Sequence, residues 1–289
     1  LQTTFNRPDS AENGEAALPP CRPYNARMQE NTLLRFIAQH AAGNAEVVLP
    51  VGDDMAALRC SGLALLKIDQ CLDTVHFDSG RHTAEEIARK AVNRCLSDCA
   101  AMACLPAAVL LAVPLPRTGP AATEEFAEAL FLAARAAANV YDAPIVGGDT
   151  AAWNGPLALT VAALGKNPPE ASDRLITRAG ARPGDVIFVS GALGGSLQPD
   201  LSGRHLSFTP RIHLARALAR VAGPRLHAMM DLSDGLAQDL PRLCHASGVG
   251  AELHAANLPI HEDAHALAAH DHLPAGPGEH TRGGLTLRS

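Results

Sequence analysis

The chain has 289 residues, enough for two domains or one large one, and 47% of them are apolar although only 3% are aromatic, so its core is expected to be closely packed Ala, Leu and Val. A formal charge of −6 with no long run of one sign excludes the clustered basic face of a nucleic-acid binder, and no apolar run reaches the roughly 18 residues of a membrane span. Seven cysteines without a Cys-x-x-Cys pair read as reduced packing residues of a cytoplasmic protein.

In chain order, residues 1–28 are polar and proline-rich without periodicity and carry no secretory pattern. They are expected to be a disordered extension, or a non-native one ahead of a natural start at Met28. Residues 29–42 place Leu33, Phe36 and Ile37 at helical spacing. A short apolar run, 47–49, leads into a loop at Gly52-Asp53-Asp54. Leu63 to Asp69 reads as a strand. Thr83 is an expected N-cap, followed by two acids and a helix that buries Ile87, Ala91, Cys95, Cys99 and Met102. A strand at 107–113, an Ala-rich helix at 121–140, a short strand ending at Gly147-Gly148-Asp149 and a strand at 157–164 complete the first half.

A polar, proline-containing stretch suggests a boundary near 166–182. Beyond it are expected a strand at 186–190, a Gly-rich loop at 191–196, helices at 210–221 and 235–246, a short strand to Asp231 and a strand at 249–255. Strands alternate with helices in both halves, so the class is mixed α and β. From about 262 the pattern decays into a segment rich in His, Gly and Pro.

The chemistry is carried by aspartates at expected strand ends or in adjoining loops: Asp53, Asp54, Asp69, Asp149, Asp231 and Asp234, with Asp98 in a helix. Asp is a poor strand former, and a buried unpaired carboxylate is costly. Hard oxygen ligands are what Mg²⁺ requires. Taken singly, each has a plainer reading. Asp98 lies four residues after Arg94, the spacing of a helical ion pair. Asp231 or Asp234 can cap a helix. Gly147-Gly148-Asp149 is also a turn signal, and the 191–195 loop lacks the lysine of a Walker loop.

The motifs in their order go further. Val51-Gly-Asp-Asp-Met-Ala-Ala-Leu58, Ile68-Asp69 with His76-Phe77, Lys90-Ala-Val-Asn-Arg-Cys-Leu-Ser-Asp98-Cys-Ala-Ala-Met102, Ile145-Val-Gly-Gly-Asp-Thr150, Leu175-Ile-Thr-Arg178 with Pro183-Gly-Asp185, Pro210-Arg211 and Met230-Asp-Leu-Ser-Asp-Gly-Leu236 together resemble the signatures of thiamine-monophosphate kinases over about 29–260. The resemblance implies a two-domain α/β fold of the aminoimidazole ribonucleotide synthetase type. Its N-terminal ATP- and Mg²⁺-binding, dimerising domain would span 29–166. An incomplete C-terminal domain would span 167–262, followed by an aberrant tail, 263–289.

The activity implied is ATP-dependent phosphorylation of thiamine monophosphate to thiamine diphosphate by a homodimer, with several Mg²⁺ ions. Asp54, Asp69, Asp98, Asp149, Asp231 and Asp234 would be metal ligands, with the backbone carbonyl of Ile68. Gly148, Asp149, Arg178 and Ser233 would meet ATP, and His76 the thiamine phosphate. Two departures stand out. Lys67-Ile68 replaces a Ser/Thr-Thr pair before Asp69, and a Gly-Glu-Asp-Tyr-Glu-Leu motif expected near 265–280 is absent. Alternatives are another ATP-dependent enzyme of the same superfamily, an inactive nucleotide-binding protein, and a transition-metal role for the His-rich tail.

Overall fold

The computed structural model describes residues 33, 36–37, 39–41, 43–49, 57–59, 62–167 and 174–270. Asp53, Asp54, the expected start at Met28 and the chain beyond 270 lie outside the described residues. Among those described, no helix is long and apolar enough to cross a membrane.

A small antiparallel pair, β1 (Val47–Leu49) and β2 (Ala57–Leu58), precedes the main sheet. That sheet has four strands, β3 (Ala64–Leu72), β4 (Leu105–Pro116), β5 (Ile145–Trp153) and β6 (Ala158–Lys166), in the order β3-β6-β4-β5. β6 runs antiparallel to both β3 and β4, and β4 runs parallel to β5. A parallel neighbour needs a crossover, and the helix α2 (Glu124–Asn139) supplies it.

Helix α1 (Ala84–Ala101) joins β3 to β4 and starts at a complete capping box, with Thr83 and Glu86 each satisfying the other's backbone N–H. α1 and α2 cover one face of the sheet. Their core stripe includes Ile87, Ala91, Cys95 and Cys99 from α1 and Leu130, Phe131 and Ala134 from α2, set against Val109, Leu159 and Val161. The many alanines and cysteines let helices and strands approach closely, as the composition requires.

The opposite face of the sheet is apolar and open: Leu66 is 81% exposed, Ile68 64% and Leu110 47%.

The second half contains helices α3 (Ile212–Ala222), α4 (Leu236–Ser247) and α5 (Glu262–His270). α5 continues regular structure past 262, where the sequence pattern decays. The strands expected at 186–190, up to Asp231 and at 249–255 are not formed among the described residues. A strand exists only through its partner's hydrogen bonds, and these segments have only a single bridge nearby, Leu193 to Ile260. Val186 and Phe188 accordingly stand 73% and 85% exposed.

Two further corrections concern β3 and β5. Asp69 does not end its strand, which runs on to Leu72. Gly147-Gly148-Asp149 is not a turn but lies within β5. A Cβ at Gly148 would collide with the Leu111 carbonyl oxygen of the neighbouring strand, so this glycine serves the close approach of two backbones.

The halves meet along α1. Asn93 donates to the Phe208 carbonyl at 2.7 Å, and Tyr141 to that of Pro210 at 3.0 Å. Ala103, Ile176 and Ala215 form a small second apolar cluster at the same junction.

Candidate active site

β3 is an edge strand, and its alternation decides what reaches the site. Lys67, Asp69 and Cys71 point towards α1, while Leu66 and Ile68 point away. On α1, Arg94 and Asp98 face β3. The Arg94 Nε lies 3.1 Å from Asp69 Oδ2, and the Lys67 Nζ 3.0 Å from Asp98 Oδ2. The helical pair open to Asp98 from its spacing therefore does not form: Arg94 holds Asp69 instead.

Ser97, one turn from Arg94, donates to Asp231 Oδ2 at 3.1 Å across the junction between the halves. Asp69, Asp98 and Asp231 are thus gathered round one end of α1 and interleaved with Lys67 and Arg94. Among the described residues, the one trio with ligand atoms within 4.8 Å of one another is His261, Glu262 and Asp263. There Asp263 is already paired with Arg204, and three consecutive exposed or half-buried groups are common without an ion.

Electrostatics separate the partners. Burial opposes the charge on Lys67, but the hydrogen bond to Asp98 and the charges of Asp98 and Asp69 outweigh it and raise its pKa. The Asp98 carboxyl is pushed up by burial. Lys67 only partly offsets this, and Asp231 and Asp69 add to it. Three carboxylates, Asp69, Asp98 and Asp231, face two cations, Lys67 and Arg94, so one negative charge is left over. Hard divalent cations take carboxylate donors, and Asp69, Asp98 and Asp231 would supply them to more than one ion, because their oxygens do not all fall within 4.8 Å of one another.

Ile68 was expected to offer only its carbonyl. The Gln70 N–H is turned to the Asp69 carboxylate at 2.9 Å, and its carbonyl accepts from Arg94 at 3.3 Å. Both backbone groups of Gln70 therefore face away from β6. Carbonyls two residues apart on a strand share a direction, so the Ile68 carbonyl also faces the outer edge.

His76 sits in the turn after β3. Asp73, buried and unnoticed in the sequence, shapes this turn by accepting from the Thr74 and Ser79 N–H groups, each at 2.9 Å. The Leu72 N–H donates to His76 Nδ1 at 3.0 Å, which fixes the proton of the neutral ring on Nε2. Burial lowers the His76 pKa, and the charges of Arg94 and Lys90 lower it further. Neutral His76 thus presents an N–H donor. The buried Lys90 ties the turn down, bonding the His76 carbonyl and His205 Nδ1.

Ser233 and Asp234 lie in the loop before α4. Neither Asp231 nor Asp234 caps that helix, whose N-cap is Gly235 without a side-chain bond. The loop is held by Asp239, which is 0% exposed and accepts from the Ser233 and Asp234 N–H groups, both at 2.9 Å. Arg242 closes the set, 2.7 Å from Asp239 and 2.6 Å from Asp234. The available signal was an acid in the first turn of a helix that lacks a side-chain cap. Arg178 is exposed. Its neighbour Thr177 accepts from the Met229 N–H at 3.0 Å, so the Arg178 segment runs beside the one leading to Asp231.

Gly148 and Asp149 are not part of the cluster. The register runs Asp69–Val161–Leu111–Gly148 across the sheet, so three strand spacings, about 14 Å, separate them. Gly147 to Thr150 line instead a largely apolar cavity of about 170 Å³ with Leu33, Val113, Leu130 and Phe131.

Comparison with known proteins identifies the family. Residues 52–166 match the family described as AIR synthase related protein, N-terminal domain, and residues 182–273 its C-terminal counterpart. The chain is 35% identical over 248 residues to the thiamine-monophosphate kinase of Rhodopirellula baltica, covering 83% of this chain and 74% of that one. The crystal structure of thiamine-monophosphate kinase from Stenotrophomonas maltophilia superposes with a TM-score of 0.66 at 30% identity, over 83% of this chain and 78% of that one. A solved AaThiL complexed with AMPPCP and TMP superposes with a TM-score of 0.64 at 26% identity, over 85% and 78%. At 35% identity to the Rhodopirellula baltica enzyme over 74% of that chain, and with the same fold as the solved relatives, the chain belongs to the thiamine-monophosphate kinase family.

Proposed function

We propose that this chain transfers the terminal phosphoryl group of ATP to thiamine monophosphate, giving thiamine diphosphate and ADP. The observation that carries the reading is the gathering of Asp69, Asp98 and Asp231 from three separate segments, with negative charge in excess. The nucleophile is a phosphate oxygen that is already anionic near neutral pH, so no general base is needed. The barrier lies in bringing anions together and aligning them. Bound at these carboxylates, Mg²⁺ would neutralise the two approaching phosphates.

The remaining work falls to the chain itself. His76, neutral and protonated on Nε2, donates to the thiamine phosphate. Arg178 and the Ser233–Asp234 loop, fixed by Asp239, address the phosphates of ATP. Asp54, Asp234 and the Ile68 carbonyl would complete the metal set beside the cluster, and Gly148 and Asp149, about 14 Å across the sheet, would meet the nucleotide apart from it. Residues 29–166 form the ATP- and metal-binding unit and 167–262 the second unit. We place the enzyme in the cytoplasm.

We also assign a homodimer. The open face bearing Leu66, Ile68 and Leu110 supports it, because exposed contiguous apolar surface on a sheet calls for a cover.

Thiamine diphosphate formation from ATP, Mg²⁺ and thiamine monophosphate tests the assignment. Asp98→Asn is expected to lose more than about 100-fold in turnover, the several kcal/mol a metal ligand contributes, while circular dichroism remains that of the parent. Undiminished turnover in this variant would remove Asp98 from the metal set.

A further inference from the structure

We infer that the Lys67 ammonium is a built-in counter-cation that takes the place of one divalent ion in the acidic cluster, so that this chain binds one ion fewer than its carboxylates would otherwise hold. The inference rests on the metal-dependent kinase reading and deepens it.

Lys67 projects from β3 on the same face as Asp69, two residues on, and meets Asp98 of α1 at 3.0 Å. Asp231 stands beside Asp98, held by Ser97 of the preceding position. The ammonium therefore lies among the carboxylates proposed as ligands, in contact with one of them. The ammonium meets the Asp98 oxygen at 3.0 Å, where Mg²⁺ would require about 2.1 Å. The two cations cannot share that oxygen without crowding, and each repels the other. Arg94 is differently placed: it is committed to Asp69 and to the Gln70 carbonyl and anchors the strand to the helix.

A fixed monovalent charge has consequences that a dissociable ion lacks. It needs no free metal to be present, and it orders Asp98 before any ligand arrives. It also supplies less charge than the ion it replaces.

Counting bound Mn²⁺ by the loss of the free-ion electron paramagnetic resonance signal, with AMPPCP present, tests this directly and without turnover. The parent chain, Lys67→Met and Lys67→Arg are compared, with thermal unfolding to confirm that each is folded. Lys67→Met is expected to bind one more Mn²⁺ per chain than the parent, or to bind its weakest ion at least about tenfold more tightly. Lys67→Arg, which keeps the charge, is expected to match the parent. Equal stoichiometry and affinity in all three would overturn the inference and leave the kinase reading standing. No Mn²⁺ bound by any of them would overturn both.

Discussion

At the scale of single residues, the site is a balance of charges that the sequence order conceals. Lys67 and Asp98 are 31 positions apart and on different elements, so their pairing at 3.0 Å follows from the packing of α1 on β3 and from no local pattern. The i,i+4 rule suggested Arg94 as the partner of Asp98, and tertiary contact with Asp69 prevailed. Lys90 is the second such case. Burial lowers its pKa to about 8, helped by the charge of Arg94 and opposed by Cys71. Below pH 8 the residue is charged both folded and unfolded, and the folded state bears the cost of keeping that charge out of water. Between about 8 and the ordinary 10.5 the folded chain has released the proton and the unfolded chain still holds it, so stability rises with pH. Urea midpoints measured from pH 7 to 10 should climb more steeply for the parent than for Lys90→Met. Parallel curves would show that Lys90 does not titrate in this window.

At the scale of elements, helices α1 to α4 were legible, while α5 and half of the strands were not. α1 announced itself through Thr83, two acids and an apolar repeat, all local signals that the structure retains. β5 was misread because a glycine pair followed by aspartate is a turn signal unless a neighbouring strand leaves no room for a side chain, as Leu111 does at Gly148. The segments around 188 and 252 have the composition of strands and lack the pairing that makes one, which no local pattern reveals. The Ser233–Asp234 loop was recognised by its motif, but what fixes it was not: Asp239 binds two backbone N–H groups from inside α4. Asp239→Ala would leave both donors and Arg242 without their buried acceptor. It is expected to cost about 1.5–3 kcal/mol, the range for hydrogen bonds to a charged group, and to lower turnover by loosening Ser233. Urea unfolding gives the first quantity, and steady-state assays the second. Unchanged values of both would mean that the loop is held by other contacts.

At the scale of the whole molecule, the sheet has one covered face and one uncovered face. Two helices seal the first, and Leu66, Ile68 and Leu110 lie open on the second. Placing charges there separates association from folding. Leu66→Glu with Ile68→Glu is expected to convert a dimer to a monomer by light scattering while leaving helical circular dichroism unchanged, because these side chains touch none of the buried core. A parent chain that is already monomeric at micromolar concentration would refute the dimer assignment. The two family matches, 52–166 and 182–273, fall on either side of the polar stretch near 166–182. The way the units join was not legible in the sequence, because Asn93, Ser97 and Tyr141 reach across it through contacts far apart in sequence.

Helix α1 also acts as a ruler. Lys90, Asn93, Arg94, Ser97 and Asp98 form one stripe at steps of three and one, and each meets a different partner: the His76 turn, Phe208, Asp69, Asp231 and Lys67. Inserting one residue before Lys90 would rotate this whole stripe by about 100° and carry all five side chains off their partners together. Exchanges at single positions along the helix can be absorbed one by one, but its length cannot drift. Descendants of this chain are therefore free to vary the spelling of α1 far more than the number of its letters.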